Sequence, residues 1–153
     1  MIRTESEYKT ALQDYQADRE VIERQKAEFR EMGFSAEEVA TLIEPTLSFQ
    51  AQLGEEISWY ENVRRGTFSP VKRLTEIGTL LIGLRIARGI TQEELAKRLG
   101  VNQSAVSRDE RNEYHGITLE RAQKVLDALQ ATVTFFPEEP ITPLIGRETV
   151  SIP

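Results

Sequence analysis

The stretch from Thr91 to Arg111, TQEELAKRLGVNQSAVSRDER, constrains the fold of this chain more than any other part of the sequence. Thr91, followed three residues later by Glu94, has the pattern of a helix N-terminus closed by a capping box. Apolar positions at helical spacing then run to Gly100, and glycine is the residue that most easily adopts the positive φ of a helix end. A second helix opens shortly afterwards. The stretch therefore predicts two short helices joined by a tight turn.

The two faces of the second helix, residues 102–111, differ in chemistry. Ala105 and Val106 are expected to face inward, whereas the other face carries short or hydrogen-bonding polar side chains: Gln103, Ser104, Ser107 and Arg108. The major groove of DNA admits one α-helix, and glutamine and arginine can pair bidentately with adenine and guanine edges there. The pattern predicts that the second helix reads base edges while the first supports it.

These residues resemble the Xre/Cro family of phage and bacterial repressors. The resemblance is carried by TQEELAKRLGV at 91–101, by QSAVSR at 103–108 and by Glu110, and it extends from the helix with Leu84, Arg85 and Gly89 to the helix at 119–129. It covers roughly residues 69–136, a little under half of the chain. The resemblance implies an all-α, lambda-repressor-like helix-turn-helix domain.

The resemblance also implies roles for individual residues. Arg85 is expected to form a structural ion pair with Glu110, in which a fork-shaped guanidinium holds a carboxylate. Base contacts are expected from Gln103, Ser104, Ser107 and Arg108, and phosphate contacts from Gln92, Asn102, Arg111 and Asn112. The alternative for each of these polar residues is an exposed side chain with no role in binding.

One position departs from the family pattern. Position 109, which usually holds an apolar or aromatic residue in the family, is Asp109 here. An aspartate cannot fill an apolar slot and repels phosphates, so we expect it to pair with Arg108 or Arg111. Such a pair would restrain the end of the second helix.

The residues before this domain have sequence patterns that predict helices. A heptad seam from Tyr8 to Phe29 predicts a helix at about 4–32, which packs either on its own domain or on a partner as a coiled coil. A second helix is expected to stop before Pro45 and a third to start at Thr46. Ser69 and Pro70 form a strong start signal, which predicts one helix over residues 70–88.

The residues after the domain change character. β-Branched and aromatic residues from Thr132 to Phe136 predict a short C-terminal strand, which must pair within the chain or with its copy in a dimer. Residues 137–153 contain four prolines and predict an extended tail. The expected organisation is a helical extension at 1–67 for dimerisation or partner binding, a DNA-binding domain at 68–136 and a tail at 137–153.

The charge is distributed unevenly over these segments. The chain of 153 residues has a net charge of −6, which is unusual for a nucleic-acid binder. Residues 1–67 hold 8 Lys and Arg against 14 Asp and Glu, whereas residues 68–136 hold 10 against 8. The acidic excess therefore lies outside the expected DNA-binding domain, whose small basic surplus predicts modest nonspecific attraction to phosphates.

The function expected from these features is a sequence-specific transcriptional regulator, a dimeric repressor that binds an inverted-repeat operator in double-stranded DNA. One alternative is an antitoxin, whose helical extension binds a toxin protein while the helix-turn-helix represses the operon. Another is a protein-interaction adaptor that does not read DNA, which the net acidic charge and Asp109 favour.

Catalysis has little support in the sequence. The single histidine, His115, lies in a turn-like loop, and the chain has no cysteine, no glycine-rich phosphate loop and no histidine cluster for a metal. We expect no enzymatic activity, no cofactor and no metal site. The sequence has neither a long apolar run nor a signal-peptide pattern, so a cytoplasmic protein without membrane contact is expected.

Overall fold

The computed structural model describes residues 1–137, and this part of the chain is all α-helical. A 3₁₀ turn at Leu74–Glu76 precedes the third helix. The six helices are α1 (Glu5–Glu31), α2 (Ala36–Arg64), α3 (Ile77–Ala87), α4 (Gln92–Leu99), α5 (Gln103–Arg111) and α6 (Leu119–Ala128).

Helices α1 and α2 form a long antiparallel hairpin. Each begins with a complete capping box, Thr4 with Glu7 in α1 and Ser35 with Glu38 in α2. The heptad seam of α1 packs on α2: Ile22 is buried, and the ring of Tyr8 stacks on that of Tyr60 with centroids 4.8 Å apart. The seam thus packs within its own chain.

The expected break at Pro45 is wrong, because α2 runs through this residue without interruption. A proline in a helix interior removes one backbone hydrogen bond and crowds the preceding turn. Val39 and Ile43 on one side of it and Ile57 on the other are all buried. Burial of these apolar side chains on both sides of the proline outweighs its local cost, although sequence rules treat proline as a helix end.

The expected helix over residues 70–88 is also wrong in its first half. The chain is not helical from Thr67 to Lys72, and α3 begins only at Ile77. The reason is tertiary: the ring of Phe68 lies against Gly83, where an added Cβ would be 3.0 Å from it. This contact draws the connecting segment back over α3, so the start signal at Ser69 and Pro70 is not used.

One apolar core joins the hairpin to the smaller helices. It contains Ile57, Tyr60 and Val63 of α2 together with Leu81 and Ile82 of α3. The core continues into the remaining helices through Leu95, Ala96, Val106, Ala122, Val125, Leu126 and Leu129. The hairpin is therefore packed on the helix-turn-helix side of the core, chiefly through α2 against α3, and is not a loosely attached arm.

The expected strand at Thr132–Phe136 is not present. Residues 131–137 have no regular secondary structure, and Phe135 and Phe136 are exposed. A strand needs a neighbour for its backbone groups, and no described residue provides one. The expected tail at 137–153 lies outside the described residues except for Pro137. Among the described residues, no helix is long and apolar enough to cross a membrane.

Candidate nucleic-acid interface

Helices α4 and α5 form the expected pair with a tight turn. The hydroxyl of Thr91 accepts a hydrogen bond from the Glu94 N–H, at 3.1 Å. The other half of the expected capping box is absent, because the Glu94 carboxylate accepts a hydrogen bond from Arg98 Nε instead. Gly100 has φ +67°, which ends α4 and turns the chain toward α5. Leu95 in α4 and Val106 in α5 are buried between the two helices.

The outer face of α5 presents a polar row on this buried base. The positions follow helical spacing, so the side chains point to one side of the helix. Ser107 is half-buried, and the other three members are exposed: Gln103, Ser104 and Arg108. The guanidinium of Arg108 makes neither a hydrogen bond nor a salt bridge with any residue that the structure describes.

A short relay of hydrogen bonds fixes the start of this row. Gln103 Nε2 donates to Gln92 Oε1 at 3.1 Å, and Gln92 Nε2 donates to Glu110 Oε2 at 2.9 Å. Gln92 therefore connects the first residue of α5 to a buried carboxylate near its end. Its amide is engaged within the protein, and its expected phosphate contact stays a prediction.

The carboxylate at the end of the relay belongs to a buried ion pair. Arg85 Nε donates to Glu110 Oε1 at 2.5 Å, and Arg85 Nη2 donates to Glu110 Oε2 at 2.7 Å. The two side chains are 4% and 1% exposed. The pair ties α3 to the last turn of α5, so α5 is held at both ends.

A comparison with protein families identifies this segment. Residues 82–136 match the helix-turn-helix family. This segment is a helix-turn-helix domain of the Xre/Cro type. Searches of curated proteins and of solved structures gave no match. The helix-turn-helix domain is a module of DNA-binding regulators, and α4 and α5 are the two helices of its motif.

The remaining expected phosphate contacts lie at the ends of the second helix of the helix-turn-helix. Asn102 is the N-cap of α5 but its side chain does not cap the helix, and Asn112 follows the last turn. Asn102, Arg111 and Asn112 are all exposed. Their location beside the polar row is compatible with phosphate contacts, which stay predictions.

The expected partner of Asp109 is wrong. Asp109 Oδ2 accepts a hydrogen bond from Arg121 Nη2 of α6 at 2.5 Å, and it bonds neither Arg108 nor Arg111. Sequence reasoning considered only neighbours on the same helix, whereas the fold brings α6 against this position. The aspartate thus joins α5 to α6, and it pairs neither with Arg108 in the polar row nor with Arg111 beside it.

The loop after α5 packs into the helix-turn-helix domain more closely than its sequence indicates. Tyr114 is buried although it lies in a turn with φ +53°, and burial raises the pKa of its phenol well above the ordinary value. A Cβ added at Gly78 would lie 1.8 Å from the Glu113 carbonyl oxygen. The glycine permits this close approach of α3. His115, in contrast, is exposed.

The first residues of the chain are part of the site, which sequence reasoning missed. Arg85 Nη2 donates a hydrogen bond to the Arg3 carbonyl oxygen at 2.8 Å, and Ile2 is buried in the common core. The expected helix at about 4–32 places the start of α1 at the capping box of Thr4 and Glu7, as the structure does. Nothing in the local sequence shows that this start lies on the helix-turn-helix domain.

Proposed function

We propose that the chain is a sequence-specific DNA-binding repressor, and not an enzyme, that reads the major groove with α5. The observation that carries the proposal is the polar row of Gln103, Ser104, Ser107 and Arg108 on a helix held at both ends. Base reading needs side chains whose backbone is fixed, because a bidentate contact tolerates little displacement. The relay and the buried pair provide that support.

The proposed repressor binds as a homodimer to an inverted repeat. A single α5 contacts only a few base pairs, and helix-turn-helix proteins commonly place two reading helices about 34 Å apart, one turn of DNA. Contacts between copies are expected from the segment at Thr132–Phe136, in which Phe135 and Phe136 are exposed, or from the hairpin. Phosphate contacts from Gln92, Asn102, Arg111 and Asn112 would set the register of each copy on its half-site.

Binding to the DNA upstream of the protein's own reading frame, compared with a scrambled duplex over a salt series, tests this proposal. The variant Gln103→Ala/Arg108→Ala removes two base-reading side chains and should lose at least about tenfold in affinity for the specific duplex. The matched control Gln13→Ala/Arg24→Ala removes the same two residue types from exposed positions on α1. It should bind as wild type does.

Two results would overturn the proposal for this surface. One is equal, weak binding of wild type to both duplexes. The other is specific binding that the Gln103→Ala/Arg108→Ala variant retains. Either result would favour the adaptor function, in which the helix-turn-helix domain does not read bases.

A second candidate function, that of an antitoxin, is favoured by the surface of the hairpin. Helix α2 has no lysine or arginine before Arg64 but has six glutamates, and it exposes Leu42 and Phe49 seven residues apart on one side. An acidic surface with exposed apolar side chains suits a basic protein partner. Toxin binding by α2, combined with repression of the operon by α5, is the antitoxin function.

Co-purification with the product of an adjacent small reading frame tests this second function. The variant Leu42→Ser/Phe49→Ser should abolish a complex that forms through α2. Leu74→Ser/Leu119→Ser is the matched control, because both leucines are exposed at other places on the surface. Absence of a complex with wild type, or equal retention by both variants, would remove the hairpin as the binding surface.

A further inference from the structure

The start of α1 lies against the end of the reading helix α5. Arg3 accepts the hydrogen bond from Arg85 with its carbonyl oxygen, and its own Nη1 donates to the Glu110 carbonyl oxygen at a longer 3.4 Å. The same segment borders an open cleft of about 470 Å³ that Gln92 and Gln103 also line. The first residues of the extension are thus next to the relay that fixes the start of α5.

The Arg3 carbonyl is one of four acceptors that surround a buried guanidinium. Arg85 donates to both carboxylate oxygens of Glu110, to the Ile90 carbonyl oxygen and to the Arg3 carbonyl oxygen. A guanidinium has five N–H donors, and a buried donor without a partner costs free energy. If residue 3 moved away, Arg85 would lose one acceptor and would bind Glu110 in a less fixed orientation.

Glu7 holds residue 3 in place. Its carboxylate oxygen Oε2 accepts hydrogen bonds from the N–H of Arg3 at 2.7 Å and from the N–H of Thr4 at 3.1 Å. The Thr4 hydroxyl in turn accepts from the Glu7 N–H. A capping box normally binds one backbone N–H outside the helix, and here it binds two, of which the first belongs to the residue that contacts Arg85.

We propose that Glu7 is a positioning residue for DNA reading: it fixes the Arg3 carbonyl, which orients Arg85 and through Glu110 holds the last turn of α5. This inference rests on the proposed function. The helical extension would then contribute to DNA reading by positioning α5. Whatever binds the extension and displaces residues 2–4 also lowers the affinity for specific DNA, by thermodynamic linkage.

Hydrogen exchange of the free, full-length protein, compared across three variants, tests the first half of this proposal. Glu7→Ala removes the hold on residue 3, Glu7→Gln keeps an acceptor at the same place, and Glu38→Ala removes the same capping-box position from α2. Glu7→Ala should speed amide exchange in the last turn of α5 about tenfold, the loss expected for one hydrogen bond to a charged group. Glu38→Ala should leave α5 unchanged.

The affinities for specific and scrambled duplexes test the second half of this proposal, the effect of Glu7 on DNA reading. Glu7→Ala should lower the ratio of the two affinities about fivefold to tenfold, with partial recovery in Glu7→Gln. A purely structural role would lower stability in Glu7→Ala and Glu38→Ala alike and leave the ratio unchanged.

Two further outcomes distinguish failure of the proposal for Glu7 from failure of the proposed DNA reading. If α5 exchanges equally in Glu7→Ala and Glu38→Ala, the proposal for Glu7 is wrong whatever the DNA result. If α5 exchange responds as expected but wild type has no preference for any duplex, the proposed DNA reading is wrong and the contact between α1 and α5 stands as a structural link only.

Discussion

Arg85 and Glu110 hold each other through two parallel hydrogen bonds, Nε to Oε1 at 2.5 Å and Nη2 to Oε2 at 2.7 Å, with both side chains almost fully buried. A buried pair of this kind is not by itself strong evidence for stability, because removing two ions from water is costly. Loss of one partner is strongly destabilising, because the remaining charge stays buried and unpaired.

We expect Glu110→Ala to lower the free energy of unfolding by about 3–5 kcal/mol, because Arg85 is then left without its counterion. Urea unfolding followed by circular dichroism measures the change. The control is Glu94→Ala, which breaks the exposed Arg98–Glu94 pair of α4 and should cost less than about 1 kcal/mol. Similar losses of unfolding free energy in both variants would show that burial does not raise the cost of breaking the Arg85–Glu110 pair.

Pro45 lies inside α2, two residues after the buried Ile43. Proline in a helix interior costs about 3 kcal/mol relative to alanine, so Pro45→Ala should raise the free energy of unfolding by about 1–3 kcal/mol. Ser48→Ala, at an exposed position one turn later, is the control and should change stability by less than about 0.5 kcal/mol. A loss of stability in Pro45→Ala would mean that the proline ring itself makes a needed contact.

The elements that sequence reasoning predicted well are those whose determinants are local. The turn at Gly100, the cap at Thr91 and the apolar spacing of α4–α6 depend on residues within a few positions of one another. The expected pairing of Arg85 with Glu110 is a tertiary contact, and it came from the family resemblance and not from local patterns. The all-α class followed from the same periodic patterns.

The features that sequence reasoning missed depend on contacts between distant segments. Pro45 fails as a helix end because α1 covers α2, and Pro70 fails as a helix start because Phe68 packs on Gly83. Asp109 bonds Arg121 of α6, a residue that is near only after folding. The contact of Arg3 with Arg85 joins residues 82 positions apart. Propensity and spacing contain no information on such contacts.

Gly78 and Gly54 are both helical glycines, but their surroundings differ. A Cβ at Gly78 would overlap the Glu113 carbonyl oxygen at 1.8 Å, whereas a Cβ at Gly54 would meet only the Tyr15 ring at 3.2 Å. Gly78→Ala should therefore lower the free energy of unfolding by about 2 kcal/mol or more, as overpacking against backbone does. Gly54→Ala should be neutral or up to about 1 kcal/mol stabilising, since alanine favours helix.

Thermal and urea unfolding of the two variants side by side makes the comparison, because the chemical change is the same in each. Equal effects at the two positions would contradict the close approach of α3 to the loop at Glu113. A loss at Gly54 larger than that at Gly78 would place the tighter contact in the hairpin instead.

Burial of Tyr114 makes the free energy of unfolding fall as the pH rises into the alkaline range. Loss of hydration raises the pKa of its phenol above the ordinary 10.0, and the nearby Glu110 and Asp109 carboxylates act in the same direction. The folded protein thus retains the phenol proton at a pH where the unfolded chain has lost it. The stabilisation is complete below about pH 10 and declines above it, by about 1.4 kcal/mol per pH unit for one such group.

The free energy of urea unfolding, measured at several values between about pH 8 and pH 11, tests this dependence. Tyr8, whose hydroxyl donates to Glu61, and Tyr60 also have raised pKa values, so the wild-type decline contains their contributions as well. Tyr114→Phe removes one titrating group and should show a shallower decline above pH 10 than wild type. Identical declines in the two proteins would mean that the phenol of Tyr114 titrates as freely in the folded state as in the unfolded one.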